Sequence, residues 1–187
     1  MRYDAVVIGG GRSGCAEALR RASDGQKVCL VAAGLTLHSL EPELKGKPYA
    51  ELHALTKAGI AVLRGDIVEK VQWSACEAIA SGRRVRTVRT ANGITLEAAE
   101  FVLATGRFFS RGLVADMEEV REPLFGADVD FPADRSKWFN PDFFAPQPFE
   151  SFGVKTDKAG RILKGGKPVE NVYAVGKILG GKHDAGR

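Results

Sequence analysis

Cysteine and histidine are both scarce. Cys15, Cys29 and Cys76 are the three thiols in 187 residues, and no Cys-x-x-Cys pair occurs. That spacing excludes a zinc or iron–sulfur site built from this chain alone. Cys15 and Cys29 stand among apolar neighbours and read as small core residues. His38, His53 and His183 are too scattered to form a metal site, so no metal is expected. Long apolar runs are missing too: nothing approaches the roughly 18 residues that a membrane span needs. The opening Met-Arg-Tyr-Asp lacks the apolar stretch and cleavage site of a signal peptide, so a cytoplasmic setting is expected. Neither sign of charge dominates. The formal net charge is +4. Arg83, Arg84, Arg86 and Arg89 cluster, but they fall short of a basic run suited to nucleic acid and read as the solvated face of a hairpin.

What is present is a globular composition, 44% hydrophobic and 27% charged, in a length that suits one domain with a real core. Tyr3 to Ile8 is an apolar run ending in glycines, the pattern of a buried parallel strand. Gly14 to Asp24 carries Cys15, Ala18, Leu19 and Ala22 at helical spacing, with Gly25 placed to end the helix. Lys27 to Ala32 is a second buried strand, so residues 1–34 form a βαβ start. Residues 48–100 read as a helix (Pro48 to Ala58), strands at Ala61 to Leu63 and Ile67 to Trp73, and a hairpin. Its strands, Val85 to Thr90 and Ile94 to Leu96, flank Asn92-Gly93, a strong hairpin turn signal. Residues 101–187 supply buried strands at Phe101 to Ala104 and Val172 to Val175. Between them, 107–152 is rich in Phe, Pro and Gly and shows little periodicity.

Three glycine motifs carry the chemistry. Gly9-Gly10-Gly11-Arg12-Ser13-Gly14 is a G-x-G-x-x-G between a strand and a helix. Gly9 suits the tight turn, Gly11 lets a pyrophosphate approach the backbone, and Gly14 permits close helix–strand packing. The helix N-terminus would then present free N–H groups to the phosphates. The acidic residue expected after the second strand is replaced by Ala32 or Ala33, for which Thr36, His38 or Ser39 are possible substitutes. The second motif is Ala104-Thr105-Gly106 and the third is Ala174-Val175-Gly176, each at a strand end. In an α/β sheet, ligands bind at the carboxyl ends of adjacent parallel strands. The ordered trio favours a flavin dinucleotide over NAD alone. The fold class is therefore α/β: a Rossmann-like FAD/NAD(P)-binding domain, a single unit over 1–187, with a parallel sheet and a β-meander or hairpin.

The stretch Phe101 to Gly181 is more specific than any fold rule. It holds Arg107-Phe108-Phe109-Ser110, Gly112-Leu113-Val114-Ala115, Arg121-Glu122-Pro123, Asp142-Phe143-Phe144-Ala145-Pro146-Gln147-Pro148-Phe149 and Val175-Gly176-Lys177-Ile178-Leu179-Gly180-Gly181. On these residues the chain resembles the B subunit of the anaerobic glycerol-3-phosphate dehydrogenases, a flavoprotein family. The resemblance implies an oxidoreductase subunit that holds FAD, or FMN, and moves electrons from glycerol 3-phosphate toward a quinone. It also implies a catalytic flavoprotein partner, a membrane-anchoring iron–sulfur partner and a place at the inner membrane face. The expected cofactor residues are Gly9, Gly11, Arg12, Ser13, Gly14, Val68 (through its backbone, to adenine), Thr105, Gly106, Gly176 and Lys177. Arg107 and Arg111 are candidates for a substrate phosphate, because guanidinium offers a bidentate fork. No general base is evident, and Lys177 stands where flavoproteins generally place an acid.

The family is longer, with an insertion after the second strand and a last helix facing the flavin. A missing cap domain, a frayed segment Gly180 to Arg187, weak flavin binding and little turnover are the expectations that follow. The segment Asp142 to Phe149 is expected over the nucleotide face. Two other readings remain: a non-catalytic binding or assembly module that keeps the fold but holds no flavin, and a fragment of a longer enzyme.

Overall fold

The computed structural model describes residues 1–34, 50–74 and 83–183. Cys76 and the segment with Thr36, His38 and Ser39 lie outside them. Arg2–Ile8 forms β1, Arg12–Ser23 α1 and Val28–Ala32 β2. All of β2 is buried, and β1 from Ala5 onward, as strands covered on both faces must be. They pair in parallel, Val7 opposite Leu30. α1 starts at Arg12, ahead of the expected Gly14, because helical geometry is available as soon as the turn at Gly9 is complete. It ends where Gly25, at φ 79°, lets the amides of Gly25 and Gln26 turn back to the carbonyls of Ala22 and Arg21.

Ala50–Lys57 is α2, Ala61–Arg64 β3, Val68–Trp73 β4, Val85–Thr90 β5 and Thr95–Leu103 β6. β6 corrects the expectation of two strands, Ile94 to Leu96 and Phe101 to Ala104. One strand runs through, because Leu96 and Ala98 alternate inward while Thr95, Glu97 and Ala99 face water. Its first half pairs antiparallel with β5, Val88 opposite Leu96, and its second half parallel with β1, Val7 opposite Val102. Gly93 closes the β5–β6 turn at φ 84°. β4, β5 and β6 thus form the expected meander on a mostly parallel sheet.

Further along, short pairs replace long strands: Val114–Ala115 (β7) with Val120–Arg121 (β8), and Val129–Asp130 (β9) with Gly153–Val154 (β10). Arg161–Lys164 (β11) then turns through Gly165 and Gly166 into Lys167–Ala174 (β12), so the last strand starts earlier than Val172 and has an antiparallel neighbour. The main sheet reads β11-β12-β6-β1-β2-β3, with β4 and β5 branching off β6. β12, β6, β1, β2 and β3 are parallel.

The alternation along β1 sorts the core. Val7 packs with Cys15 and Ala18 of α1, Leu30, Leu55 and Val102 on one face. Val6 and Ile8 pack with Phe101, Leu103, Leu96, Phe125, Phe152 and Ile178 on the other. Asn171, 2% exposed, clips β12 to the meander: its amide donates to Val85 O and accepts from Val85 N, both at 2.9 Å, and donates to Ala99 O at 3.0 Å. Arg83, Arg84, Arg86 and Arg89 are all exposed. The frayed end is corrected for its first residues. Gly180 is buried at φ 67°, where a Cβ would strike the Ser151 carbonyl and Phe152, and a Cβ on Gly153 would strike Leu179 and Gly180.

Candidate functional site

The carboxyl ends of β1, β6 and β12 lie side by side, and their glycine turns interlock. A Cβ on Gly9 would strike the Ala104 carbonyl and lie 3.0 Å from Thr105 N. One on Gly14 would strike the Gly9 carbonyl oxygen, and one on Gly176 would strike the side chain of Ser13. Gly9 and Gly176 also hold φ values of 121° and 78° that side chains resist. Chain therefore meets chain at these positions with no room to spare.

Gly11 is different. Among the described residues nothing lies within 4 Å of the point its Cβ would occupy, and its φ of −76° is ordinary. It is the N-cap of α1, with no side-chain cap and no acid in the first turn. The first amides of a helix have no partner within it, and they carry the positive end of its dipole. Open space thus lies at the start of a helix whose first amides have no side-chain cap. A diphosphate fits that combination. Thr105 Oγ1 gives a second sign: it is buried and has no hydrogen-bond partner among the described residues.

The charges agree with an anionic ligand. Residues 9–14, 104–112 and 175–181 contain Arg12, Arg107, Arg111 and Lys177 and no acid. Arg12, Arg111 and Lys177 are exposed and Arg107 is half-buried. None of the four makes an ion pair among the described residues. Other arginines are engaged: Arg21, for example, is 5% exposed and held by Glu17 at 2.7 Å and Glu100 at 2.6 Å.

Val68 stands apart from the trio. It opens β4 opposite Thr90, just past Asp66, whose amide donates to Ala32 O at the end of β2. That puts it near the carboxyl end of β2. Ala32 is 1% exposed and belongs to the core, so Ala33, which is exposed, occupies the position where the fingerprint wants an acid.

The aromatic segment divides. Phe149 packs edge-on against Phe108 with ring centroids 6.0 Å apart, just past the Thr105-Gly106 turn. Ser151 to Gly153 lie against Leu179 and Gly180, beyond the Gly176 turn. Phe143 and Phe144 instead touch each other and are 84% and 94% exposed. They take no part in the packing that Phe149 makes with Phe108, so only the end of the segment expected over the nucleotide face lies beside the glycine turns. Gln147 folds the loop back by donating to Asp142 O and Ala145 O and accepting from Asn140 N, so the pair is held outward. An open groove of about 310 Å³ runs between Phe139, Pro141, Phe143 and Phe149.

Several contributors were not foreseen. Gly112 is buried where a Cβ would strike the Gly106 carbonyl and sit 2.7 Å from Thr105 Oγ1. Phe108 anchors that turn, and Asp66 ties the β3–β4 connection to the hairpin. A glycine following Arg111 was the visible sign of the first; the others depend on contacts distant in sequence.

Uncapped donors over an open glycine, set among interlocked glycine turns, define a dinucleotide-binding domain of the flavoprotein type. The FAD binding domain family matches residues 50–187. The chain belongs to that family, and FAD is its cofactor. Among curated relatives, it is 38% identical over 135 residues to the B subunit of anaerobic glycerol-3-phosphate dehydrogenase from Yersinia enterocolitica serotype O:8, covering 71% of this chain and 29% of that protein. It is 36% identical over 162 residues to the corresponding protein of Actinobacillus pleuropneumoniae serotype 5b, covering 80% and 36%. The chain thus spans about a third of the length of these relatives. Among solved structures, Thermovibrio ammonificans THI4 matches with a TM-score of 0.45 at 17% identity over 56% of this chain and 58% of that one. An oxidoreductase from Agrobacterium tumefaciens matches with 0.42 at 16%, over 64% and 39%. No helix among the described residues is long and apolar enough to cross a membrane.

Proposed function

We propose that this chain is the FAD-holding part of an oxidoreductase subunit that works with glycerol 3-phosphate, in the manner its curated relatives' name indicates. The observation that carries the reading is the contrast at the first motif: Gly9 and Gly14 are closed by backbone, while Gly11 is open beneath an uncapped helix. In this reading the α1 amides and Gly11 hold the diphosphate, with Arg12 and Ser13 at its edge. Thr105 and Gly106 line the cofactor, with Thr105 Oγ1 gaining the partner it lacks. Gly176 and Lys177 face the ribityl phosphate end, and the Val68 backbone meets the adenine. Bound FAD supplies a two-electron acceptor for the oxidation of an alcohol to a ketone, here glycerol 3-phosphate to dihydroxyacetone phosphate. The chain's own part is to bind, orient and neutralise charge.

The relatives' designation as a B subunit supports assembly with partner subunits; in this reading those are a catalytic flavoprotein and a membrane-anchoring iron–sulfur protein, electrons pass toward a quinone, and the chain is cytoplasmic and sits at the membrane face. One observation favours a second reading, a non-catalytic flavin-binding module: the three turns bring together cations but no His or carboxylate to take the substrate proton. The tests are an absorbance scan and an FAD titration, followed by dye reduction with glycerol 3-phosphate. Saturable flavin binding supports both readings, and turnover with substrate supports only the first. No flavin binding overturns both.

A further inference from the structure

We infer that the aromatic face around residues 139–149 is a docking surface for a second copy of this chain, with Phe144 of each protomer entering the groove of the other. The inference goes beyond the proposed function and does not depend on FAD.

Area is the first observation. Phe139, Phe143, Phe144 and Met117 are 56%, 84%, 94% and 78% exposed. At about 200 Å² for each side chain they present roughly 600 Å² of apolar surface, the upper end of what a typical monomer displays. Arg135 joins Met117 to the rest: it donates to Met117 O at 3.4 Å and lies over the ring of Trp138, next to Phe139. With a polar rim added, the face reaches the roughly 800 Å² per partner that a stable interface buries. The rim is the second observation. Asp134, Arg135, Lys137, Asp142 and Glu150 are exposed and carry both signs of charge. Two copies of such a face meet without net repulsion. Two copies of the glycine-turn face, which is cationic and acid-free, would repel each other. An anionic lipid surface would call for a basic rim, not a mixed one.

The third observation is shape. The groove of about 310 Å³ has Phe139, Pro141, Phe143 and Phe149 for walls. A cavity of about 150 Å³ already holds a benzene ring, so a phenyl side chain has room there. Gln147, on the same groove, is engaged by Asn140, Asp142 and Ala145. The rest of the lining is mainly apolar and suits a ring better than a polar ligand. Phe144 stands beside this groove, edge-on to Phe143 with ring centroids 5.6 Å apart. Its turn is already ordered: Phe144 N donates to Asp142 Oδ1 and Asp142 N to Asn140 Oδ1, both at 3.0 Å. A ring displayed this way loses little further freedom on binding. A displayed ring next to a ring-sized groove makes the face self-complementary, and a two-fold axis uses each of them twice.

The test is sedimentation velocity of the full chain from micromolar to millimolar concentration, with and without FAD. The mass should rise from one chain to two, with a dissociation constant in the micromolar range. Phe144→Ser and Phe139→Ser should each raise that constant by roughly thirtyfold or more, the scale of an interface ring lost. The doubly substituted chain should be little worse than either single variant, because ring and groove wall serve one contact. Phe109→Ser removes a ring that is 96% exposed but lies on the turn after Thr105-Gly106, and it should leave the dimer intact. Melts of Phe144→Ser diluted below the dissociation constant report the lone protomer and should match the parent, so that a lost dimer is not mistaken for a lost fold. A parent that stays a single chain throughout would overturn the inference and leave the face to a different protein. A single-chain parent that sediments with phosphatidylglycerol vesicles would overturn it in favour of lipid. A dimer that Phe144→Ser leaves intact, or that Phe109→Ser weakens as much, would put the interface elsewhere and overturn it too.

Discussion

In the sheet of β12, β6, β1, β2 and β3, backbone groups are satisfied by the ladders themselves. Between Ala104 and Gly160 the ladders shrink to pairs of two-residue strands, and side chains take over. Glu122, 2% exposed, accepts from the amides of Leu124, Phe125 and Ala127 at 2.9, 2.8 and 3.3 Å. Asp134 caps a 3₁₀ turn through Ser136 N, Gln147 gathers its own loop, and Asp157 accepts from Ala159 N and Arg161 N. Buried backbone must find partners either way. A ladder spreads that requirement over many residues, whereas a clamp concentrates it in one carboxylate. The first region should yield most where backbones touch, and the second wherever a clamp is removed.

The largest expected effect is at a backbone contact. Gly14→Val drives a side chain into the Gly9 carbonyl, and a destabilisation above about 4 kcal/mol is expected. Its counterpart Gly11→Val points into open space and should stay within about 1 kcal/mol of the parent while losing FAD. Urea denaturation followed by circular dichroism, with flavin content measured in parallel, checks both. Similar stability for the two variants would break the distinction between closed and open glycines.

Next is the clamp at Glu122. Glu122→Ala strands buried amides and should lower stability by about 3 kcal/mol. Burial pushes the Glu122 carboxyl above its ordinary value, against the pull of the Leu124, Phe125 and Ala127 amides. The sign follows: a raised value in the folded state means a stability contribution fully present below the ordinary 4.5 and lost as pH rises through the raised value. Glu122→Gln should therefore flatten that part of the stability–pH curve. An unchanged curve would show that the clamp does not titrate in this range.

Asp66 should show the opposite sign in the sheet region. Burial pulls its carboxyl up, but the Thr90 hydroxyl and the Asn92 and Ile67 amides outweigh it and hold it below the ordinary 3.8. Its contribution, about 1 kcal/mol, is present above that ordinary value and lost as pH falls through the lowered one. The difference between parent and Asp66→Asn in thermal melts at pH 7 should narrow on acidification; a constant difference would count against it. The smallest effect belongs to the displayed rings. Phe143→Ser and Phe144→Ser should stay within about 0.5 kcal/mol of the parent, as exposed positions do, while Phe149→Ser, which loses Phe108, should be clearly worse. A cooperative loss from Phe144→Ser would show that the outward pair supports the fold.

The β1–α1–β2 unit, the Asn92-Gly93 turn and the three glycine motifs were legible because each rests on local rules: burial on both faces, helical spacing, positive φ. β6 was not legible as one strand, because Glu97 and Glu100 interrupt the apolar run that marks its buried end. For β11, Gly165-Gly166 was the local sign, without alternation to support it. Gly180 reads as a loose tail until Ser151 and Phe152 are seen against it.

Local chemistry alone sets the Rossmann-like class, the order of the glycine turns and the cationic, acid-free character of their flanks. These are properties of short segments, set by backbone sterics and periodicity. Tertiary structure decided which glycine is open and which are closed, that Ser13 meets Gly176, that Thr105 Oγ1 is stranded, and that Phe143 and Phe144 face outward. Each depends on atoms brought together from distant parts of the chain, and local propensity carries no information about what packing leaves empty.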